Sequence, residues 1–406
     1  MNRAHFLKLM ALGTLGISLG TVPFLEALAT PALNHNHSNA LKNRKLVLLE
    51  LQGGNDGLNT LIPFASSHYY RLRPHLALPR EKVIQISNQQ GLHPAMKALW
   101  PRWQKKQWAW VNNVGYAQPN RSHFRSIEIW ESGSDANVYK NTGWLSEVLP
   151  GLPQHKTLAL DGILARADTP GPLSGSQLRL LSTADVFRFA RQTPPNLLKR
   201  APTLNPNTAT LVHIATLNAQ KEILHAAVHK QLNGAQVNFE KWRSAFPQTA
   251  LGRELADVAC CILAGLPTPV YKVSLKSFDT HRGQRRTHEH LLTELSEALS
   301  AFANVLEANA EWSNTLILSY SEFGRRAAEN GSGGTDHGTA APHFVLGGAV
   351  KGGIYGSPPD LSTIQSARDD LRHDYDYRQL YRTVIEKWWQ APVPDKYLKY
   401  EILGFI

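Results

Sequence analysis

The amino-acid sequence predicts an α/β fold in which a mostly parallel central sheet is flanked by helices and carries a partly helical insertion. Apolar runs of strand length occur at Lys45–Leu51, Trp108–Val114 and Val270–Phe278. Runs with so little polar alternation are typical of strands that are buried on both faces, as in parallel sheets. Helical patterns separate the runs, and glycines or polar residues follow them, at the strand ends where open α/β sheets place their sites.

The composition is ordinary for a globular protein, with 42% apolar and 18% charged residues. The length of 406 residues permits one large α/β domain or two smaller ones. The net charge of +11 favours an anionic small-molecule or polymer substrate as a partner. Because the basic residues are scattered and no nucleic-acid-binding motif occurs, nucleic-acid binding is not predicted. The cysteines, Cys260 and Cys261, are adjacent, which fits two small buried helix residues rather than a disulfide.

Residues 1–29 are typical of an export signal peptide. Arg3 and Lys8 give a positive start, an apolar stretch follows, and a small-x-small cleavage site ends at Ala29. The apolar stretch is too short and too rich in glycine to span a bilayer stably. Residues 30–44 are then expected to form a polar linker, and the mature protein is expected in the periplasm or outside the cell.

The sequence predicts export but leaves the export route open. The order Arg-x-x-Phe-Leu-Lys resembles the twin-arginine export signal, which is used for proteins exported already folded. Because Ala4 stands at the position of the second arginine, the general secretory route stays open, and an uncleaved signal anchor is the alternative.

The first apolar run leads into a glycine-rich turn, Gln52–Gly57. Glycine permits positive φ and a close approach of the backbone. Asn55 and Asp56 are therefore placed at the carboxyl end of a buried strand, where a site is expected. The alternative is an ordinary turn between a strand and a helix.

The second apolar run leads to a serine. A helix is predicted over Leu92–Gln104, with Pro94 near its start, and the strand Trp108–Val114 follows. Ser122 would lie at or near the amino terminus of the next helix, where backbone N–H groups and the helix dipole favour an anion. Its hydroxyl is a candidate nucleophile for phosphoryl or sulfuryl transfer, and the alternative is a plain N-cap.

The middle of the chain, about residues 151–250, is less regular and rich in proline, with a helix predicted over Thr216–Leu232. We interpret it as an insertion or cap that shapes access to a site within one domain, residues 45–406. A helix over Leu251–Ala264 then leads back to the strand Val270–Phe278.

Asp279 and His281 follow that strand. Residues two apart at a strand end can point to the same face, and a carboxylate with an imidazole suits zinc or a similar divalent ion. The alternative is a hydrogen-bonded pair without a metal. His288 and His290, at the start of the next helix, are interpreted as solvated. That helix carries a core-facing stripe at helical spacing: Leu291, Leu292, Leu295, Ala298, Leu299, Phe302, Val305 and Leu306.

The stretch Thr315–Gly348 has the densest polar signal. The buried strand Leu316–Leu318 precedes Ser321 and Glu322, a glycine-rich loop follows, and the cluster Asp336-His337-Gly338 comes before a second apolar run, Phe344–Leu346. Carboxylates and histidines bracketed by buried strands are costly to bury without a partner or a metal. The alternative is a solvated loop in which Asp336 and His337 serve in turns and caps.

The chain ends in a helix predicted over Arg372–Trp389, whose aromatic residues are expected to pack on the body of the protein. Three polar residues near its start, His373, Asp374 and Asp376, are assigned to packing and capping.

Several stretches together resemble the DUF1501 family of exported bacterial proteins, whose function is poorly defined. The stretches are LLELQGGNDGLNTLIP, GLHPAMKALW, VNNVGYAQPNRSHFRSIEIWESG, TGWL, SFDTH, LILSYSEFGR, GGTDHG and DYRQLYRTVIEKWW. Their order is as specific as the individual motifs. The family in turn resembles the alkaline phosphatase and sulfatase superfamily in the order of its motifs, which implies an alkaline-phosphatase-like core.

The resemblance implies that the hydroxyl of Ser122 is the attacking group. It also implies two positions that bind a divalent metal ion, zinc or a similar ion. The implied metal ligands are Asp279, His281 and His337 at the first position, and Asp56 and Glu322 at the second. The supporting residues are Asn55, His123, Asp336 and His343.

Two hypotheses follow. The first is an exported, metal-dependent hydrolase of phosphate or sulfate esters. The second is a non-catalytic binding or assembly protein that keeps the fold but has lost part of the metal site. The second is motivated by Gln52 and Phe323, which stand where the superfamily usually has metal ligands. The spacing of Asp279 and His281, Asp-x-His, is also shorter than the superfamily's usual Asp-x-x-x-His.

Overall fold

The computed structural model describes residues 43–158, 160–166, 169–175, 177–183, 222, 225–226, 228–229 and 239–406. The predicted export signal, most of the predicted linker and most of the helix predicted over Thr216–Leu232 lie outside these residues. Within them, no helix combines the length and the apolar character that crossing a membrane requires.

The central sheet is mostly parallel, as the sequence predicts. The strands of the structure, in chain order, are β1 Lys45–Leu51, β2 Leu61–Ile62, β3 Ile84–Gln85, β4 Gly91–Leu92, β5 Trp108–Gly115, β6 Gly162–Ala165, β7 Leu180–Thr183, β8 Val270–Leu275, β9 Thr315–Tyr320, β10 Ala341–Gly347, β11 Gly353–Tyr355 and β12 Tyr375–Asp376. Within the described residues, the large sheet has nine strands, eight of them in the order β11-β5-β10-β9-β1-β8-β6-β7 and the ninth, β12, also paired to β5. β2, β4 and β3 form a second sheet.

Only β10 runs against its neighbours among the described strands of the large sheet. It pairs antiparallel with both β5 and β9, whereas β1 is parallel to β8 and β9, and β5 is parallel to β11 and β12. The carboxyl ends of β1, β5, β8 and β9 therefore meet at one edge of the sheet, and β10 begins there. This edge is where the polar segments of the sequence come together.

Helices cover both faces of the sheet. They are α1 Ser67–Leu72, α2 Trp100–Gln104, α3 His123–Ser132, α4 Trp144–Val148, α5 Phe239–Ser244, α6 Ala250–Leu263, α7 Gln284–Ala308, α8 Tyr377–Thr383 and α9 Asp395–Leu398. Val47 and Leu49 of β1 pack with α6 and α7 on one face, and Leu46 and Leu48 pack with α3, α4 and α8 on the other. Burial on both faces explains why β1 reads as a continuous apolar run.

The charged residues of the buried strands pair with each other. Lys272 of β8, with a side chain only 1% exposed, lies 3.1 Å from the Glu50 carboxylate and 3.2 Å from that of Glu131 on α3. Burial raises the pKa of Glu131 to about 7, while Lys272 opposes that rise. An unpaired charge at this depth would be costly, so each of these residues depends on the others.

The helix predicted over Leu92–Gln104 is broken. The structure has β4, then a 3₁₀ helix over Pro94–Leu99, and only then α2, with Pro101 in its first turn. Proline lacks the N–H that a continuous α-helix would need at position 101, so the helix restarts there.

The helix predicted over Arg372–Trp389 is also shorter than expected. β12 precedes it, Asp376 caps α8 in a capping box with Gln379, and the last turn is a π-helix over Val384–Trp388. The capping role predicted for Asp376 is confirmed, and Asp374 accepts a hydrogen bond from Asn113 at 2.7 Å.

Part of the segment interpreted as an insertion belongs to the large sheet. Strands β6 and β7 pair in parallel, and β6 also pairs with β8. Both strands are four residues long, and they extend the sheet beyond β8.

The interpretation of His288 as solvated is wrong. Its side chain is buried, and Nε2 lies 2.9 Å from Oδ1 of Asn55. Positions 284, 288, 292 and 295 share one face of α7, so His288 continues the core-facing stripe by one turn. His290 is exposed, as predicted, and Cys260 and Cys261 are free and buried in α6.

Candidate metal centre

Three predicted site residues converge at the carboxyl edge of the sheet. Asp279 follows β8 after a short loop, His281 comes two residues later, and His337 precedes β10. Nε2 of His281 and Nε2 of His337 lie 3.1 Å and 3.2 Å from Oδ1 of Asp279, and 3.0 Å from each other. Two imidazole nitrogens this close cannot both present lone pairs without a proton or a cation between them. Ligand atoms around tetrahedral zinc, each about 2.0–2.1 Å from the ion, are separated by roughly 3.3 Å, so these spacings fit a shared metal.

A third imidazole approaches from the other side of Asp279. Nε2 of His123, at the start of α3, lies 3.5 Å from Oδ2 of Asp279, and the rings of His123 and His337 are 4.4 Å apart. The donor atoms of His123, Asp279 and His337 all lie within 4.8 Å of one another. Asp279 and His337 thus belong to two overlapping groups of three potential metal ligands. His281 completes one group, and His123 completes the other.

The imidazoles are oriented through their second nitrogens. Nδ1 of His337 lies 2.9 Å from the carbonyl oxygen of Arg121, and Nδ1 of His281 lies 3.2 Å from Oδ1 of Asp336, which also accepts a hydrogen bond from Asn330 at 3.0 Å. A carbonyl oxygen can only accept, so Nδ1 of His337 carries the proton and its Nε2 carries a lone pair. Metal-binding histidines usually have this outer partner.

Glu322 is the outer partner of His123. Its Oε1 lies 3.2 Å from Nδ1 of His123, and its two oxygens accept hydrogen bonds from the N–H groups of Gly53, at 2.8 Å, and Gly54, at 3.0 Å. Burial works against ionisation, but the hydrogen bonds from His123 and Gly53 outweigh it and lower the pKa of Glu322. With its lone pairs occupied, Glu322 lies beside the centre as a positioning group, and the structure does not bring it into a second metal position.

Asp279 carries a permanent cationic neighbour that the sequence did not suggest. Nη2 of Arg325, whose side chain is fully buried, donates to Oδ1 of Asp279 at 2.6 Å. The guanidinium also donates to the carbonyl oxygens of Gly54 and Thr335, at 2.7 Å and 2.9 Å, which joins three loops. Burial raises the pKa of Asp279, and Arg325 more than reverses that effect, so the pKa falls to about 2. The carboxylate is therefore ionised at neutral pH.

Asp56 and Asn55 lie apart from this centre. The carboxylate of Asp56 is completely buried and accepts hydrogen bonds from Arg73, at 2.6 Å, and from Gln284. The Asn55 side chain donates to Thr60 at 3.0 Å and contacts His288. Among the described residues, no group of three potential metal ligands includes Asp56 or Glu322. Asp56 is paired with Arg73, and Glu322 accepts hydrogen bonds from backbone N–H groups.

Ser122 lies next to the centre in the chain. It is the exposed N-cap residue of α3, yet its side chain makes no capping hydrogen bond. Both neighbours contact the centre, Arg121 through its carbonyl oxygen and His123 through its ring. The hydroxyl is thus carried by a short segment fixed at both ends.

His343 is a core histidine. It lies in β10 with its ring 4.9 Å from that of Trp130, fully buried, and burial lowers its pKa to about 3. It is neutral and does not join the centre.

Sequence reasoning placed His123 only as a supporting residue and missed Arg325 entirely. His123 had a usable signal, since it follows Ser122 at a helix start that faces the carboxyl edge of a parallel sheet. The signal for Arg325 was weaker. It is the Glu-Phe-Gly-Arg order after β9, and it does not single out the arginine because an arginine in a loop is usually solvated.

Replacing Glu322 with glutamine is expected to lower zinc affinity by about 10- to 100-fold, the usual cost of losing an outer partner of a metal-binding histidine. The reason is that a neutral amide no longer favours the Nδ1–H form of His123. Chelator-competition titration measures the change, and Glu128→Gln on the exposed face of α3 is the matched control. Equal affinities for both variants and the wild type would remove Glu322 from this role.

Comparison with known proteins gives a match to a family model over part of the chain and a set of distant structural likenesses. Residues 253–388 match the family described as "Protein of unknown function (DUF1501)", a range that includes Asp279, His281, Glu322 and His337. No curated protein matches the sequence.

Among solved structures, the chain is similar to a 2-O GAG sulfatase (TM-score 0.36, 11% identity, covering 87% of this chain and 72% of that one). It is also similar to the C-terminal periplasmic domain of EcEptC from Escherichia coli (TM-score 0.33, 9% identity, 86% and 82% coverage). A third likeness is to alkaline phosphatase from the Antarctic bacterium TAB5 (TM-score 0.35, 13% identity, 86% and 99% coverage). Over residues 253–388, which hold most of the candidate metal centre, the chain is similar to the DUF1501 family of proteins of unknown function.

Proposed function

We propose that this chain is a metal-dependent hydrolase of phosphate or sulfate esters. The observation that supports the proposal most strongly is the arrangement around Asp279, where three imidazoles each have an acceptor at Nδ1 and Nε2 turned toward one carboxylate. This arrangement prepares lone pairs for a cation. Imidazole nitrogen and carboxylate oxygen are also the donors that zinc binds in catalytic sites.

In this proposal Asp279 and His337 hold the ion, and His281 or His123 completes the set of ligands. A divalent ion bound there would supply a Lewis acid that polarises the ester and stabilises developing negative charge. The Arg325 guanidinium keeps Asp279 ionised and adds a fixed positive charge next to the bound anionic group. The Asp279 side chain is 45% exposed, so the centre is open to an incoming substrate.

Ser122 is proposed as the attacking hydroxyl. It is exposed, its oxygen is not used for capping, and the residues on both sides of it are fixed to the centre. Attack by Oγ forms a bond to phosphorus or sulfur as the bond from that atom to the ester oxygen breaks, and the Oγ proton leaves with that oxygen as the alcohol. Water then attacks the serine ester, which releases phosphate or sulfate and restores the Ser122 hydroxyl.

The proposed setting is outside the cytoplasm. The export signal predicted in residues 1–29 supports a periplasmic or extracellular location. Residues 45–406 are proposed to form a single domain, in which residues of about 151–250 shape access to the site. The net charge of +11 supports an anionic substrate.

Ser122→Ala is expected to reduce hydrolysis of generic phosphate and sulfate esters by about a thousandfold or more, because loss of a nucleophile removes the covalent route. Zinc content and unfolding temperature are expected to stay at wild-type values. Ser66→Ala is the matched control, since Ser66 is the N-cap of α1 and also makes no capping hydrogen bond. Turnover that Ser122→Ala leaves unchanged would contradict the assignment.

The alternative is a non-catalytic binding or assembly protein, and one observation favours it. The ring of Phe323 lies 4.4 Å from that of His337 and 4.9 Å from that of His123, so an apolar side chain covers this side of the centre. Metal analysis of the purified protein separates the two functions. Bound zinc without turnover of phosphate or sulfate esters would support the alternative, and absence of both would end the hydrolase proposal.

A further inference from the structure

A cavity of about 790 Å³ lies beside the candidate metal centre. It is lined by the end of α1 and the residues that follow it, by the loop at 328–333, and by residues 364–367. Its volume is within the range of roughly 300–1,000 Å³ that is usual for small-molecule sites. None of the residues assigned to the metal centre lines it.

The charges around the cavity favour an anion. Arg71, on its wall, is exposed, and no ion pair in the described part of the chain involves its guanidinium. Glu329 is the carboxylate among the lining residues, and its side chain is only 9% exposed. Its oxygens are turned to the N–H groups of His75, at 3.0 Å, and Leu76, at 2.8 Å, and to the His75 ring. Arg285 of α7 donates to the carbonyl oxygen of His75 at the same wall.

The rest of the lining suits a ring that carries hydroxyls. Leu72, Pro74 and Ile364 supply apolar surface, and Gln365 and Ser366 supply amide and hydroxyl groups. A sugar ring presents apolar C–H faces and polar edges, so it matches both kinds of lining. The free guanidinium of Arg71 can hold an oxoanion on such a ring by charge-assisted hydrogen bonds.

We propose that this cavity is a binding site for a monosaccharide-sized phosphate or sulfate ester, separate from the metal centre. The sugar ring lies against the apolar wall and the oxoanion contacts Arg71. The site goes beyond the proposed hydrolase, and it does not depend on it, because no residue of the metal centre is needed for binding.

Asn330 connects the cavity to the metal centre. It lines the cavity, and its Nδ2 donates to Oδ1 of Asp336 and to the carbonyl oxygen of His281, each at 3.0 Å. Asp336 in turn contacts Nδ1 of His281. A ligand that fixes Asn330 therefore also fixes an outer partner of the centre, and binding of zinc and of the sugar ester should strengthen each other by the same factor.

Isothermal titration of the zinc-free protein with glucose 6-phosphate, glucose 6-sulfate, glucose and inorganic phosphate tests the site. Glucose 6-phosphate and glucose 6-sulfate are both expected to bind, and glucose is expected not to bind. The ester with the higher affinity shows whether the site prefers phosphate or sulfate. Arg71→Ala is expected to weaken ester binding by about tenfold or more, since it removes a charged hydrogen-bond donor. Lys156→Ala, which removes an exposed charge before β6, is the matched control and is expected to change nothing.

If Arg71→Ala bound the esters as tightly as the wild type, Arg71 would not hold the oxoanion and the proposal would be overturned. If Lys156→Ala weakened ester binding as much as Arg71→Ala, the general positive charge of the surface would be responsible, which would also overturn the proposal. Inorganic phosphate binding as tightly as both esters would remove the role of the sugar ring. Because these titrations use zinc-free protein and no turnover, their failure leaves the hydrolase proposal intact, and failure of hydrolysis leaves this site intact.

Discussion

His337→Ala is expected to abolish specific zinc binding, the largest loss among the single histidine substitutions at the centre. His337 and Asp279 are common to both groups of three donors, so removing the imidazole leaves neither group complete. The affinity should fall by more than the roughly 10- to 100-fold that loss of an outer partner costs. Zinc content by mass spectrometry, with chelator competition on the refilled protein, measures the effect.

The other two imidazoles provide a graded comparison. His281→Ala and His123→Ala each disrupt one of the two groups of three ligands and leave the other complete. Each variant should therefore still bind zinc, but more weakly than the wild type. The variant of the pair with the greater loss identifies the third ligand. His290→Ala, on an exposed position of α7, controls for the general effect of deleting a histidine.

Wild-type zinc affinity in His337→Ala would refute the centre as assigned. Circular dichroism of the zinc-free variants separates this result from misfolding. The side chain of His337 is partly exposed and packs on the rings of Phe323 and His281, so its loss should cost the fold little.

The position of this centre follows from the sequence for a definite physical reason. Apolar runs predicted the buried parallel strands β1, β5, β8 and β9, and parallel strands bring their carboxyl ends to one edge. Polar residues that directly follow such strands must then meet, whatever their distance in the chain. This reasoning brought Asp279 and His281 to the same edge as Glu322.

The contacts that decide each side chain's role could not be predicted in this way. Asp56 looks as available as Asp279 in the sequence, but its partner Arg73 comes from α1 and the loop after it, which carry no apolar signal pointing to Asp56. Arg325 and Glu322 lie three residues apart, and only the folded loops show that one pairs with Asp279 and the other with backbone N–H groups. Pairing of long side chains depends on tertiary geometry, which periodicity does not encode.

Arg73→Met is expected to lower the free energy of unfolding by about 3–5 kcal/mol, the usual cost of leaving one member of a buried ion pair alone. Both the Arg73 and the Asp56 side chains are 0% exposed, and their atoms are 2.6 Å apart. Arg73 also donates to the carbonyl oxygen of Ala327 at 2.8 Å, so some of the loss comes from that bond. Urea unfolding at neutral pH measures the change.

Two further variants isolate the charge. Arg73→Met combined with Asp56→Leu removes both charges and should recover much of the lost stability, because no carboxylate is then left buried without a partner. Lys140→Ala breaks the partly exposed pair with Glu147, 31% and 30% exposed, and should cost less than about 1 kcal/mol. A loss in Arg73→Met no larger than that of Lys140→Ala would contradict the role of the buried pair.

The pH dependence gives a second signature with a definite sign. In the wild type, burial raises the pKa of Asp56, but Arg73 outweighs burial and the pKa lies below its ordinary value. The pair therefore contributes stability above the unfolded pKa of about 3.9, and that contribution is lost as the pH falls through the lower folded value. In Arg73→Met, burial acts without Arg73, so the pKa of Asp56 is raised and the folded state takes up a proton as the pH falls. The difference in stability between wild type and variant should accordingly shrink as the pH falls from neutral toward the unfolded pKa of about 3.9, and it should shrink further below that pKa. A loss caused only by missing packing would stay constant.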